Sequence, residues 1–471
     1  MTGPGGRFIG GPFAPAIDDP PLEDARQNGK FKSVGSNFTD RPSPMLPPRC
    51  AWTPLGLAAV LILALPGVAP AQSTLSDTTR VRVRISHSSP IETVDLSVQD
   101  GPLAVHLPSG GPPVMRLQSG ETTTLGLRQS DTYIRRGGNG LYATELRLRP
   151  AAPDARWRLS FGDRTRTYTG GLHLRPAPSG PGLLVVNHVP VEDYVASVVA
   201  SEYGLDDRQG ARAMAVVART YGLFTSEKFG GTYDQADGTV SQVYEGVGAV
   251  TEASRAATRT TEGEVLTHAG ALIQAVYFSS SGGHTADNEH VWKSNEAIPY
   301  LRARDDPYDA GSPHHTWSAT VDRSALLQVL SRRRGTSVEG FTIDARAPHG
   351  RVTTVNVLQS DGTRHEMNAN AFRLAVNRGV AEAPLKSTWF DARRDGPRYV
   401  FEGRGFGHGV GLSQWGAHAM AEQGQDYEDI LRFYYTDVSI RPLQEVRMDP
   451  QAAPVARSPE EPPADERRIG W

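Results

Sequence analysis

Val191-Glu192-Asp193-Tyr194-Val195-Ala196-Ser197-Val198-Val199-Ala200-Ser201-Glu202 is the stretch on which the reading of this chain turns. At a period of 3.6 residues, Val195, Val198, Val199 and Glu202 share one stripe, so the spacing predicts a helix over 191–202. A carboxylate thus stands where the next core residue belongs. Gly204 follows and is expected to end the helix. Partial burial disfavours an ionised carboxylate, and so does the negative end of a helix dipole. Both raise its pKa, as a general acid near neutral pH requires. Glu202 is therefore the candidate catalytic residue. The alternative is a surface glutamate on a fraying last turn.

Upstream of this helix, short strands are expected from about 80 to 186. Val81, Val83 and Ile85 alternate with Arg82, Arg84 and Ser86, and Leu146 and Leu148 alternate with Arg147 and Arg149. Clusters such as Ser109-Gly110-Gly111-Pro112 separate the runs. Leu183-Leu184-Val185-Val186-Asn187 reads as the strand that enters the helix through Pro190. Downstream, a second helix is expected over 207–225, with Ala211, Met214, Ala215, Ala218 and Tyr221 on one stripe, and a third over 253–261. Strands at 265–267 and 272–279 flank the turn Ala269-Gly270. Between 317 and 400 a helix (323–333), two strands (352–358 and 364–367) and a helix (369–377) read as a small inserted α+β lobe. A strand at 398–401, a glycine run and a last helix at 412–423 follow. The fold class is α+β: a β-rich module over 72–185, then a mixed core over 186–440 that holds the inserted lobe.

The two ends read differently. Residues 55–65 (LGLAAVLILAL) are apolar and uncharged, yet shorter than the ~20 residues of a membrane span. Arg49 precedes them, Pro66-Gly67 end them, and Ala69-Pro70-Ala71 offers a cleavage pattern. This is the layout of a secretory signal over 45–71, which implies export to the periplasm, cell wall or exterior and no stable span after cleavage. The alternative is one N-terminal anchor helix. Residues 1–44 read as a non-functional extension, and 441–471 as a disordered tail rich in Pro and charge. The single cysteine, Cys50, precedes the apolar run, so a cleaved chain has no disulfide and no thiolate ligand. With 471 residues and a net charge of -3, the chain suits two or three domains, and it has no lysine-rich run to suggest nucleic acid.

Three further segments could carry chemistry. Gly403, Gly405, Gly407, Gly409 and Gly411 stand at alternate positions. In an extended chain they would leave one face bare for a ligand or another backbone, with Arg404 and His408 on the other face. No G-x-G-x-x-G aligns there and no G-K-[ST] follows, which removes the dinucleotide and P-loop readings. Ser279-Ser280-Ser281-Gly282-Gly283-His284 follows an apolar strand, and its short hydroxyls suit sugar hydroxyls or a carboxylate. It contains no G-x-S-x-G. His284 and His290 have no metal-motif spacing, so no metal site and no cofactor are read. Arg219-Thr220-Tyr221 and Pro299-Tyr300-Leu301-Arg302 offer cations and aromatic faces for a carboxylated glycan, or simply packing and surface charge.

Taken together, these strings resemble the SpoIID/LytB family of sporulation and cell-wall proteins. The matching stretches are 191–202, Ala218-Arg219-Thr220-Tyr221, Ser241-Gln242-Val243-Tyr244, 277–284, Pro299-Tyr300-Leu301-Arg302, and 403–417 with its Leu412-Ser413-Gln414-Trp415-Gly416-Ala417. They run in family order over about 185–440. The resemblance implies a lytic transglycosylase that cuts peptidoglycan glycan strands, in SpoIID itself strands stripped of stem peptides. It implies Glu202 as the catalytic acid, and a groove between lobes with Arg219, Tyr300 and Arg302 at implicated positions. A lysine is more usual where Arg302 stands. Tyr221, Ser279, Ser281, His284, His408 and Gln414 join them as substrate-binding candidates. The cysteine-built zinc site of some members has no counterpart after Cys50. The LytB branch is described as an amidase modifier, so the alternative is a non-catalytic glycan-binding enhancer with a cell-wall amidase as partner.

Overall fold

Alternating side chains become alternating environments in the first strand. Val81 and Val83 are buried while Arg80 is exposed, as a sheet with one wet face requires. The computed structural model describes residues 79–446, apart from Ser88, Ser179, 225–228, 293–295 and 381–383. The expected signal with Cys50, the expected extension before it and residues 447–471 lie outside the described residues.

Two sheets precede the helices in sequence, apart from one short strand, Gln235–Ala236, added from later in the chain. One runs in the order Gln235–Ala236, Arg80–Arg84, Leu183–Pro190, Gly171–Pro176, Leu146–Pro150, Leu103–His106, Met115–Leu117. The other runs Arg164–Thr169, Arg156–Phe161, Thr93–Asp100, Thr122–Arg128, Asp131–Arg136, Asn139–Ala143. Both give residues to a single core, among them Val83, Leu148 and Val185 from the first and Leu96, Trp157 and Leu159 from the second. The outer face of the first sheet is basic. Arg82 pairs with His188, and His188 with Gly171, in register. A cleft of about 1060 Å³ opens there, lined in part by Arg80, Arg82, Arg147, Arg149 and Arg175.

The strand Leu183–Pro190 passes directly into helix α1 (Val191–Glu202), with Pro190 as N-cap. Proline suits this place, since the first amides of a helix lack partners anyway. Helix α2 (Arg208–Leu223) follows, capped by the Asp207 side chain on the Gly210 amide. Helix α3 (Glu252–Thr260) opens with a capping box of Thr251 and Ser254. Helices α1, α2 and α3 pack on one another, and α1 is buried nearly all round: Tyr194, Val195, Val198 and Val199 are each at most 2% exposed.

Next come helix α4 (Asn288–Trp292) and a region with its own core. Helices α5 (Arg323–Arg334) and α6 (Ala369–Gly379) pack on two three-stranded sheets. Leu326, Leu330, Val355, Phe372 and Phe401 fill the space between. The expected helices and strands here are present, and three strands join them, Thr316–Asp322, Val338–Arg346 and Phe390–Asp395. Helices α7 (Gln414–Glu422) and α8 (Tyr427–Tyr434) return to the first core. The stretch 272–279 carries only the short strands Ala271–Leu272 and Tyr277–Phe278. Residues 441–446 are not tail: Ser439–Pro442 pairs antiparallel with Glu264–His268, and a short turn of helix follows.

The glycine run departs from expectation. Gly405, Gly407, Gly409 and Gly411 all have positive φ, so the chain there is not an extended strand. What approaches the glycines is protein. A Cβ at Gly405 would lie 2.6 Å from the Ser280 carbonyl oxygen, and one at Gly411 2.1 Å from that of Val276. Ser280 and Phe406 exchange backbone hydrogen bonds of 3.0 and 2.7 Å. The run is the close-packed partner of the serine-glycine segment, so it does not offer a bare face to a ligand.

Candidate active site

Glu202 ends α1, and its half-buried side chain faces protein groups rather than bulk water. Tyr203 is the C-cap at φ -118°, so Gly204 follows the end without making it. The last turn of α1 has no basic residue, and the Glu202 carbonyl is capped from far along the chain: Gln414 Nε2, at the start of α7, donates to it at 2.9 Å. The Val243 amide donates to Glu202 Oε1 at 2.7 Å, and the Tyr277 hydroxyl also bonds the carboxyl. Burial pushes the Glu202 pKa up; these two donors, which favour the anion, pull it back only in part. No charged group among the described residues contributes to that shift.

Tyrosines enclose the carboxyl. Burial and the nearby Glu202 push the Tyr221 phenol up to about 12, and the same two causes, burial foremost, raise Tyr277 well above its usual value. Both stay protonated near neutral pH and can donate. A chain of bonds fixes Tyr277. Tyr194 donates to Gln242 Oε1 at 2.7 Å, and Gln242 Nε2 donates to the Tyr277 hydroxyl at 3.3 Å. Tyr194 and Gln242 are fully buried. Asp207 ties the surroundings together: it accepts from the Tyr203 hydroxyl at 2.7 Å and sits 2.7 Å from His418 Nδ1 on α7.

Of the residues proposed from sequence, Tyr221 and Gln414 thus lie at Glu202. Arg219 does not reach any open surface. It is 0% exposed, and its guanidinium grips Glu192 at 2.9 and 2.6 Å and the Glu264 carbonyl at 3.0 Å. A guanidinium this deep needs a carboxylate and further acceptors, which leaves nothing to offer a substrate. Tyr300, at 1% exposed, accepts from the Gln274 amide and is core. Arg302 is committed to Glu289 and Asp287, its Nη2 lying 2.7 Å from Glu289 Oε2. Ser281 is fully buried, its amide bonding Asp309 Oδ1 at 2.8 Å, while Ser279 is half-buried and accepts the Trp415 amide on its carbonyl. His408 packs between Phe278 and Trp292, accepts the Val410 amide, and is held neutral by burial, with a pKa lowered to about 3. His284 lies beside Asp305 and stacks on His349.

Residues that the sequence reading passed over fall in two groups. Gln242, Val243 and Tyr277 sat inside the quoted strings but were given no role. Asp309 organises the serine-glycine segment from below, accepting from Ser280 Oγ, the Ser281 and Gly282 amides and Ser413 Oγ. The described residues also bring Asp287, His290 and His349 together with ligand atoms within 4.8 Å of one another.

A half-buried carboxylate thus lies among protonated phenols on a mixed α+β scaffold. Comparison with known proteins gives the family. A family model described as stage II sporulation protein (SpoIID) matches residues 179–268, and one for a domain of unknown function (DUF8618) matches 308–411. Stage II sporulation protein D of Bacillus subtilis (strain 168) is 32% identical over 275 residues, 54% of this chain and 75% of the relative. The same protein of Bacillus amyloliquefaciens is 31% identical over 274 residues, with the same shares of 54% and 75%. The amidase enhancer of Bacillus subtilis (strain 168) is 29% identical over 277 residues, 49% of this chain and 38% of that protein. The chain belongs to the stage II sporulation protein D (SpoIID) family.

Proposed function

We propose that this chain is an exported cell-wall protein that cleaves peptidoglycan glycan strands as a lytic transglycosylase, with Glu202 as its acid and base. One observation carries the reading: a carboxyl raised in pKa by burial, positioned by the Val243 amide and the Tyr277 hydroxyl, with no second charged group tuning it. Ordinary glycosidases need two carboxylates. A reaction with an internal nucleophile needs one. Protonated Glu202 gives its proton to the oxygen between MurNAc and GlcNAc, and the C1–O bond breaks. The C6 hydroxyl of the same muramic residue then bonds to C1, and its proton returns to the Glu202 carboxylate. The products are a 1,6-anhydro-muramic end and a free 4-hydroxyl on the leaving sugar. Holding the C6 hydroxyl near C1 replaces the second catalytic group. Tyr221 and Tyr277, beside the carboxyl, supply hydroxyl dipoles to the oxocarbenium-like state. The strand would run in a groove between the core and the inserted lobe, and strands freed of stem peptides are the preferred substrate. Export rests on the apolar run 55–65; no helix among the described residues is long and apolar enough to cross a membrane.

The similarity to an amidase enhancer supports a second reading, a glycan-binding partner of a cell-wall amidase without turnover of its own. One experiment separates the two. The full chain is incubated with purified glycan strands, denuded or peptide-bearing, and anhydro-muramic ends are sought by mass spectrometry. Their release by the wild type and not by Glu202→Gln supports the transglycosylase. Binding without release on every substrate favours the enhancer.

A further inference from the structure

His349 occupies the turn between the strands Val338–Arg346 and Val352–Gln359, in the region with the second core. Both of its ring nitrogens are shut off from solvent, and neither has a hydrogen-bond partner among the described residues. An unmet buried polar atom costs about 1–3 kcal/mol, so a pair on one imidazole calls for an account. Across from it stands α4, where Asp287 and His290 face each other over the first turn, His290 Nδ1 lying 3.5 Å from Asp287 Oδ2. That nitrogen too is buried and unbonded. We propose that Asp287, His290 and His349 form a binding site for one divalent transition-metal ion, zinc foremost, which fastens the His349 turn to the α4 loop.

The donor set fits that ion. Two imidazoles and one carboxylate are borderline ligands of the kind zinc takes, and three protein ligands leave a fourth position for water. The donor atoms lie within 4.8 Å of one another, and tetrahedral zinc needs ligand separations of roughly 3.4 Å, so the groups close by about an ångström on loading. The carboxylate is already oriented. Asp287 Oδ1 accepts the Ala303 amide at 2.8 Å and lies 3.2 Å from Arg302, which leaves Oδ2 for the metal. The His349 ring is held as well, stacked on His284 at 4.7 Å and 19° with Trp389 edge-on. A neutral imidazole keeps a lone pair on one ring nitrogen, and neither nitrogen of His349 is engaged by a protein group among the described residues. Arg351 opposes an added cation, but its guanidinium is engaged by the Ser281 and His284 carbonyls, and Asp287 supplies the balancing charge. Site and ion are independent of Glu202, and no cysteine takes part.

The test uses the full, tag-free chain stripped with chelator and dialysed. Zinc is titrated by calorimetry, bound metal is counted by mass spectrometry, and thermal midpoints are recorded with and without zinc. One equivalent of zinc and a raised midpoint are expected for the wild type. His349→Ala and His290→Ala should each weaken binding by more than the ~10–100-fold that loss of an outer-shell partner costs, and abolish the zinc-induced rise. Their midpoints in chelator should match the wild type, which shows that the fold is intact; should either fail to fold, Asp287→Asn serves in its place. No stoichiometric zinc in the wild type, or a zinc response that survives in the His290→Ala/His349→Ala double variant, overturns the site.

Discussion

Helix α1 carries a glutamate at each end, and the fold treats them in opposite ways. Glu192, in the first turn, is spent on a buried arginine: Arg219 takes both of its oxygens, and the Gly263 amide adds a third bond. Glu202, in the last turn, meets an amide, a phenol and no cation. The first is a fastener between α1 and α2. The second has its charged form disfavoured by burial, as the proposed acid requires. Two identical side chains ten residues apart on one helix thus acquire different surroundings from their neighbours alone.

The sharpest way to break this comparison is to neutralise each glutamate in turn. Glu202→Gln should fold and bind but lose turnover by ~10²–10⁴-fold in the anhydro-product assay. Glu192→Gln should keep its turnover per folded molecule. Equal losses at equal folded fraction would erase the distinction. Stability should run the other way. Arg219→Ala strands a carboxylate and Glu192→Ala strands a buried guanidinium, and breaking such a pair costs ~3–5 kcal/mol in urea unfolding. Glu202→Gln should instead stabilise the protein at alkaline pH. The folded-state pKa of Glu202 is raised, so its contribution to stability is full below the unfolded carboxylate range and is lost as pH rises through the folded value.

The pH profile gives a finer test. Activity should fall as pH rises through the ionisation of Glu202, since the anion cannot donate. Tyr277→Phe removes a hydroxyl that lowers that pKa, so the alkaline limb should move to higher pH. A limb that stays in place would remove Tyr277 from the site. The smallest effect is expected for Gln414→Ala. It frees the last carbonyl of α1 and should cost ~1 kcal/mol in thermal unfolding.

The place of Glu202 at the end of the packed stripe of α1 was legible because helix periodicity is a local property: a carboxylate in the place of a valine stands out in a dozen residues. Arg219 was misread for the opposite reason. A cation on a helix looks the same in sequence whether it faces a ligand or a buried partner, and the partner, Glu192, lies 27 residues away. The glycine run misled through its period of two, which an extended strand shares with a chain bending at every second residue into positive φ. The strands of the β-rich module showed through their alternation, whereas Val338–Arg346 did not, because Gly340 and bulges at its register shifts interrupt the pattern. His349 left no signal at all. A single histidine in a turn becomes notable only when folding sets it against α4.

The bond from Gln414 to the end of α1 spans 212 positions of sequence. Synthesis runs from the amino end, so α1, α2 and both sheets of the β-rich module can form while the tail of the protein is still being made. The setting of Glu202, however, waits. Its helix end stays uncapped, and the strand Tyr277–Phe278 lacks its partner Leu412–Ser413, until the chain beyond residue 414 has emerged. Closing so long a loop comes late in folding. A nascent or prematurely terminated chain would therefore carry Glu202 without its finished surroundings, which would come into register only once nearly the whole polypeptide had been delivered.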